Sequence, residues 1–250
     1  MKKCSIRKML QIILAIVPGC LGSANASGIE SEADRILHAM SDYLKTATEF
    51  RFHTEVTYDE MLSTGEMIQY GGSADISVRR PARLLVKFDG DERSNWIVYD
   101  GSTITYYDAQ QKLYAATPVP SEIDGAVDTV LEKYGVSVPI ADLVYSDPYN
   151  ALTASVETGT VIGKHVCGDR QCHHLAFTQE FIDWQIWIEV GPRPVPRKLL
   201  IIYKDEPGSP HYETRISGWD FAPRRSDHYF QFHPPEGSNA IEFLSQGEGE

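Results

Sequence analysis

From residue 50 the chain alternates. Phe50, Phe52, Thr54, Val56 and Tyr58 fall on one side, and Arg51, His53, Glu55 and Thr57 on the other, which is the period of a half-exposed strand. Runs of the same kind follow at residues 66–78, 83–89, 95–99, 103–108 and 112–117, and Asp100-Gly101 supplies a tight turn that favours positive φ. Ahead of them, residues 31–47 repeat at helical spacing, with Ile36, Leu37, Met40, Tyr43 and Leu44 on one face. Ser31 is the expected N-cap of that helix, with Asp34 in the capping-box position. Residues 121–134 return to helical spacing through Ile123, Val127, Val130, Leu131 and Tyr134, and Pro139 is placed to start a short helix through Val144. Strands are then expected at 152–162, 174–179, 211–221 and 229–232.

Residues 184–204 read as a hairpin. Trp184, Ile186, Ile188 and Val190 alternate with Gln185, Trp187 and Glu189, and a second apolar run covers Leu199 to Tyr203. Pro192, Pro194 and Pro196 cannot donate to a ladder, so they belong to the connection or to a strand edge. Trp184 and Trp187 face opposite ways, as do Leu84 and Leu85, or Ile97 and Val98, so the sheet needs cover on both faces. About ten strands with one N-terminal helix and a helical insertion at about 121–144 predict a mainly β (α+β) fold. The expected form is a half-open, curved antiparallel β-barrel closed by those helices. Neither a linker nor an internal repeat divides residues 27–250, which predicts a single domain.

Composition changes this picture mainly through the N-terminus. Lys2, Lys3, Arg7 and Lys8 precede a short apolar run and the Ala24-Asn25-Ala26 site, the order of regions in a cleaved secretory signal over residues 1–26. Cys20, after Val17-Pro18-Gly19, offers the competing reading of a lipid anchor, although Pro18 fits a lipobox poorly. Cleavage after Ala26 removes four basic residues and leaves 19 against 35 acidic ones, a net charge of −16. Such a surface repels nucleic acid and anionic lipid surfaces. The two cysteines that remain, Cys167 and Cys172, flank the Gly168-Asp169 turn. In an exported chain such a pair is expected to form a disulfide. His165, His173 and His174 beside them also suit a zinc site, but zinc-binding thiolates must stay reduced, so no metal and no cofactor are expected. A Gly-x-Ser-x-Gly elbow, a phosphate loop and a dinucleotide fingerprint are all absent from the sequence.

The stretch DGSTITYYDAQQKLYA, residues 100–115, resembles the signature of the superfamily of outer-membrane lipoprotein carriers and receptors. More closely, the chain is similar to a family of predicted periplasmic proteins, domain of unknown function 2092. That likeness rests on Cys172 with His174-Leu175-Ala176-Phe177, Asp183-Trp184-Gln185 with Trp187-Ile188, Pro196-Arg197-Lys198, and Pro207-Gly208-Ser209-Pro210 leading to Trp219. It implies the half-open barrel, a periplasmic location, and a non-enzymatic binder or carrier of an apolar small molecule or lipid acyl chain. Two alternatives stand beside it: an interaction or sensor module with a packed interior and an envelope protein partner, and a hydrolase with an unrecognised site. For the carrier, one face of each strand gives the candidate lining: Phe52, Val56, Leu84, Val86, Trp96, Val98, Trp184 and Ile186.

Overall fold

The computed structural model describes residues 28–134 and 140–243; the expected signal segment with Cys20, Pro139 and the acidic tail lie outside them. Among the described residues twelve strands form one sheet. A first meander comprises β1 (Glu49–Met61), β2 (Met67–Arg79), β3 (Arg83–Gly90), β4 (Ser94–Tyr99), β5 (Thr103–Asp108) and β6 (Leu113–Pro118). A second comprises β7 (Thr158–Cys167), β8 (Arg170–Thr178), β9 (Ile182–Glu189), β10 (Pro196–Tyr203) and β11 (His211–Asp220). Pairing of β1 with β11 joins them into the order β12-β6-β5-β4-β3-β2-β1-β11-β10-β9-β8-β7, where β12 is Asn239–Ile241. All neighbours are antiparallel except β12, which runs parallel to β6. The sheet is curved and unclosed, with β12 and β7 at its two edges.

Alternation decides what the concave face carries. Phe52 is opposite Ile76, Ile76 opposite Val86, and Val86 opposite Ile97, so one cross-strand row is apolar throughout. On the other half, Leu175, Ile186 and Leu199 make a similar row. Three helices of the described residues supply the opposing surface: α1 (Ser31–Lys45), α2 (Ile123–Tyr134) and α3 (Pro148–Thr153). From α1, Leu37, Met40 and Leu44 are wholly buried in the same core as the sheet rows, each contributing about 1.5–3 kcal/mol of burial. Helix α3 docks on α1 through the Tyr149 ring, stacked 3.5 Å from His38, and through the Tyr149 amide, which donates to Ser41 Oγ at 2.9 Å.

Three local expectations are corrected. The N-cap of α1 is Glu30, with Ser31 the first helical residue; the Glu30 carboxylate accepts instead from Thr160 Oγ1 and the Val161 amide, tying the helix start to β7. The strand expected at 152–162 begins only at Thr158, because Asp147 caps α3, its side chain accepting from the Asn150 amide, and Pro148 starts that helix. The run at 229–232 forms no strand: Tyr229 and Phe230 end a 3-10 turn, Asp227–Phe230, that buries Phe230 against the convex face, and the last strand lies further on, at β12.

Candidate ligand-binding surface

The helical insertion covers the ends of β2 to β5. Its start is set by the Ile123 amide donating to Pro81 O at 2.9 Å. Its far end is held by Arg80 Nη1, which donates to Val144 O at 2.7 Å, by Tyr145 Oη to Asp128 Oδ1 at 2.6 Å, and by the Ser146 amide to Asp124 Oδ1 at 2.8 Å. Between this insertion and the sheet is a cavity of about 50 Å³ lined by Ile76, Leu84, Val86, Ile97, Ile104, Val127, Val130, Ile140, Ala141 and Val144. Every one of these side chains is aliphatic. Burial pushes the carboxyl of Asp142, within the same insertion, up to about 6.

The eight candidate lining residues divide by face. Leu84 and Val86 line the cavity. Phe52, Trp184 and Ile186 are buried in the same core, Phe52 stacked 4.4 Å from Trp219 and Trp184 stacked 4.1 Å from Phe177. Val56 is buried on the Phe52 side of β1, further along the strand. Trp96 and Val98 are on the opposite face, with Leu85 and Phe230. The register explains this: Lys87 is opposite Trp96 and Leu85 opposite Val98, so on β4 the concave positions are Ile97 and Tyr99. Both sides of β4 are apolar, and hydropathy alone therefore gives the strand no inside. Val98 lines a second cavity of about 300 Å³ on the convex face, with Asp100, Thr103, Thr105, Tyr114, Ala116, Gln231, Phe232 and His233. Its mixed polar lining sets it apart from the concave one.

Farther along the strands the concave face changes character. Tyr58 is opposite both Tyr70 and Tyr212, and Val56 opposite both Gly72 and Thr214. The Phe88 ring lies flat on the sheet where Gly72 and Gly90 admit it; a Cβ at either glycine would stand 2.6 or 2.8 Å from the ring. Over this surface reaches Arg93, its guanidinium carbon 5.5 Å from the Phe88 ring centre and 6.0 Å from that of Tyr58. Burial pushes the Tyr58, Tyr106 and Tyr212 hydroxyls up, and the Arg93 charge opposes the shift in all three. Nothing in the sequence marked this group; its members come from five strands and a turn.

Of the three candidate histidines, His165 and His174 are on the convex face, while His173 is on the other side of β8, opposite Ile188 of the core. Cys167 and Cys172 are joined in a disulfide, with Cα atoms 6.0 Å apart. His174 stacks 4.0 Å from Trp187 and bonds Gln185 Oε1 through Nε2 at 2.8 Å, with its other nitrogen 3.1 Å from His165 Nδ1. Burial pulls its basicity down. Lys198 lies over the other part of the Trp187 surface, 4.7 Å from the ring centre. Among the described residues no group of three His, Cys, Asp or Glu side chains is placed to hold a metal ion.

A curved, mostly antiparallel sheet whose concave face is apolar and partly roofed by a helical insertion defines the architecture. The chain belongs to the family described as "Predicted periplasmic protein (DUF2092)", whose profile matches residues 33–244; this is the family and the compartment anticipated from the sequence. No curated protein matches the chain. Among solved structures, an uncharacterized conserved protein from Thermus thermophilus is similar in fold, at 11% identity and a TM-score of 0.50, over 84% of this chain and 99% of that one. The lipoprotein LppX of Mycobacterium tuberculosis aligns at 15% identity and a TM-score of 0.46, over 78% and 97%. A LolA superfamily protein from Nitrosomonas europaea aligns at 10% identity and 0.37, over 80% and 97%.

Proposed function

We propose that the protein is an exported, non-enzymatic binder or carrier of an apolar ligand, a lipid or an acyl chain, held on the concave face of the sheet. The observation that carries this reading is the cavity between α2 and the sheet, whose lining is aliphatic on both walls. An aliphatic lining offers a ligand burial and no acid–base chemistry, which supports binding over catalysis.

Size limits what fits. A space of about 50 Å³ takes on the order of four water-sized groups. That many methylenes gain roughly 3 kcal/mol at about 0.8 each, too little for a stable complex once association entropy is subtracted. A full acyl chain must therefore continue along the concave face toward Val56, displacing side chains that fill it. The small volume is also what favours the second reading, a docking module for an envelope protein with a packed interior.

Titration of delipidated protein with the fluorescent fatty acid 1-pyrenedecanoic acid separates the two. Saturable binding at one site per chain, weakened at least tenfold by Val86→Asp in a variant that keeps its circular dichroism, is the expected result. Absence of saturable binding to folded wild type refutes the carrier and leaves the docking module.

A further inference from the structure

Resting on the proposal that the concave face takes an acyl chain, we infer that its far end is a site for the acyl carbonyl group, bound by Arg93, Tyr58 and Thr214. Tyr58 Oη, Thr214 Oγ1 and Arg93 Nε are all buried and have no hydrogen-bond partner among the described residues. Tyr58 is 3% exposed and Thr214 wholly buried. A buried polar group left unpaired costs on the order of 1–3 kcal/mol, and here three are gathered at one end of one face. Arg Nε only donates, and the two hydroxyls donate as well as accept, so the missing partner is an acceptor. The Trp184 Nε1 donor, also buried and unpartnered, lies on the same cross-strand row as Tyr58, through Ile201 and Tyr212.

The surrounding charges narrow the ligand further. Asp91 Oδ2 is occupied by the Gly71 amide at 2.6 Å, and Glu92 is bonded to Tyr70. With Glu60 they still make the rim acidic, which disfavours a multiply charged head such as a phosphate. A neutral carbonyl oxygen meets the donors without that repulsion, and a single carboxylate with less of it than a phosphate. Position fits as well. The aliphatic cavity begins at Ile76, and Gly72 lies four residues along the same strand, a distance of about 13 Å at the usual rise per residue. Tyr58, two residues past Val56, lies about 20 Å out on the same measure. The face thus has an aliphatic end and a donor-rich end separated by the length of a long acyl chain.

The test uses three probes with one fluorophore: 1-pyrenedecanoic acid, its methyl ester, and 1-decylpyrene, which lacks the carbonyl. A hydrogen bond to a charged donor contributes about 1.5–3 kcal/mol, so acid and ester should bind wild type at least tenfold more tightly than decylpyrene. Arg93→Met and Tyr58→Phe, the second keeping the whole ring, should each lower acid and ester affinity several-fold and leave decylpyrene unchanged. Equal loss for acid and ester assigns the site to the carbonyl group that free and esterified acyl chains share, and a loss confined to the acid assigns it to free fatty acids. Equal affinity of all three probes for wild type overturns the carbonyl site while the apolar binder stands. If decylpyrene fails to bind as well, the apolar binder itself falls.

Discussion

Ile76→Ala should loosen the fold and improve ligand binding at once. Ile76 is 2% exposed, sits between Phe52 and Val86 on the concave row, and forms one wall of the cavity. Three carbons are removed. At about 0.8 kcal/mol each the transfer loss is roughly 2.4 kcal/mol, and the space left behind raises the total toward the middle of the 2–5 kcal/mol range of such truncations. A cost of about 3 kcal/mol should therefore appear in urea unfolding of the ligand-free protein, as a lower midpoint with an unchanged slope. The enlarged space opens directly onto aliphatic walls, so 1-decylpyrene should bind the variant more tightly than wild type. Added at a hundred times its dissociation constant, it should restore about 2.7 kcal/mol. A cost under 1 kcal/mol would show that the row is not packed. The full cost without tighter binding would show that the space collapses and does not admit a ligand.

Trp184→Ala should cost about 3–5 kcal/mol and abolish probe binding, while Trp96→Ala, on the convex face, should leave the probe dissociation constant unchanged; loss of binding in the second variant contradicts the face assignment. The Cys167–Cys172 bridge closes only a short loop, so the effect of its reduction on urea unfolding should sit at the low end of about 2–4 kcal/mol; a larger effect would mean that the bridge holds more than its hairpin. The Asp142 carboxyl titrates near 6 when folded against 3.8 as its reference value, so the folded state holds the extra proton between those values. Stability should fall as pH rises from about 4 to 6 and level off above, by on the order of 1 kcal/mol given its partial exposure, and Asp142→Asn should remove that slope in urea midpoints measured across the range.

What the sequence showed and what it hid have physical causes. β1 was legible because Arg51, His53 and Glu55 leave its solvent side unmistakable, and the same holds for α1. β4 was not, since Trp96, Ile97, Val98 and Tyr99 offer apolar surface on both sides, and only pairing with β3 fixes their direction. The Asp147-Pro148 start of α3 carried a readable N-cap and N1 signal, yet the strand-like residues after Leu152 masked it. The donor-rich end of the concave face could not be read at all. Tyr58, Arg93 and Thr214 are 35 to 156 residues apart in sequence, and what distinguishes them is the missing partner, a property that exists only once the sheet has formed.

Native mass spectrometry of protein purified from its own envelope tests the central claim most directly. The expected result is a population heavier than the bare chain by the mass of one lipid or fatty acid, lost on organic extraction and regained on incubation with the pyrene acid. A single species at the bare chain mass, unchanged by that incubation while the protein remains folded, would contradict it.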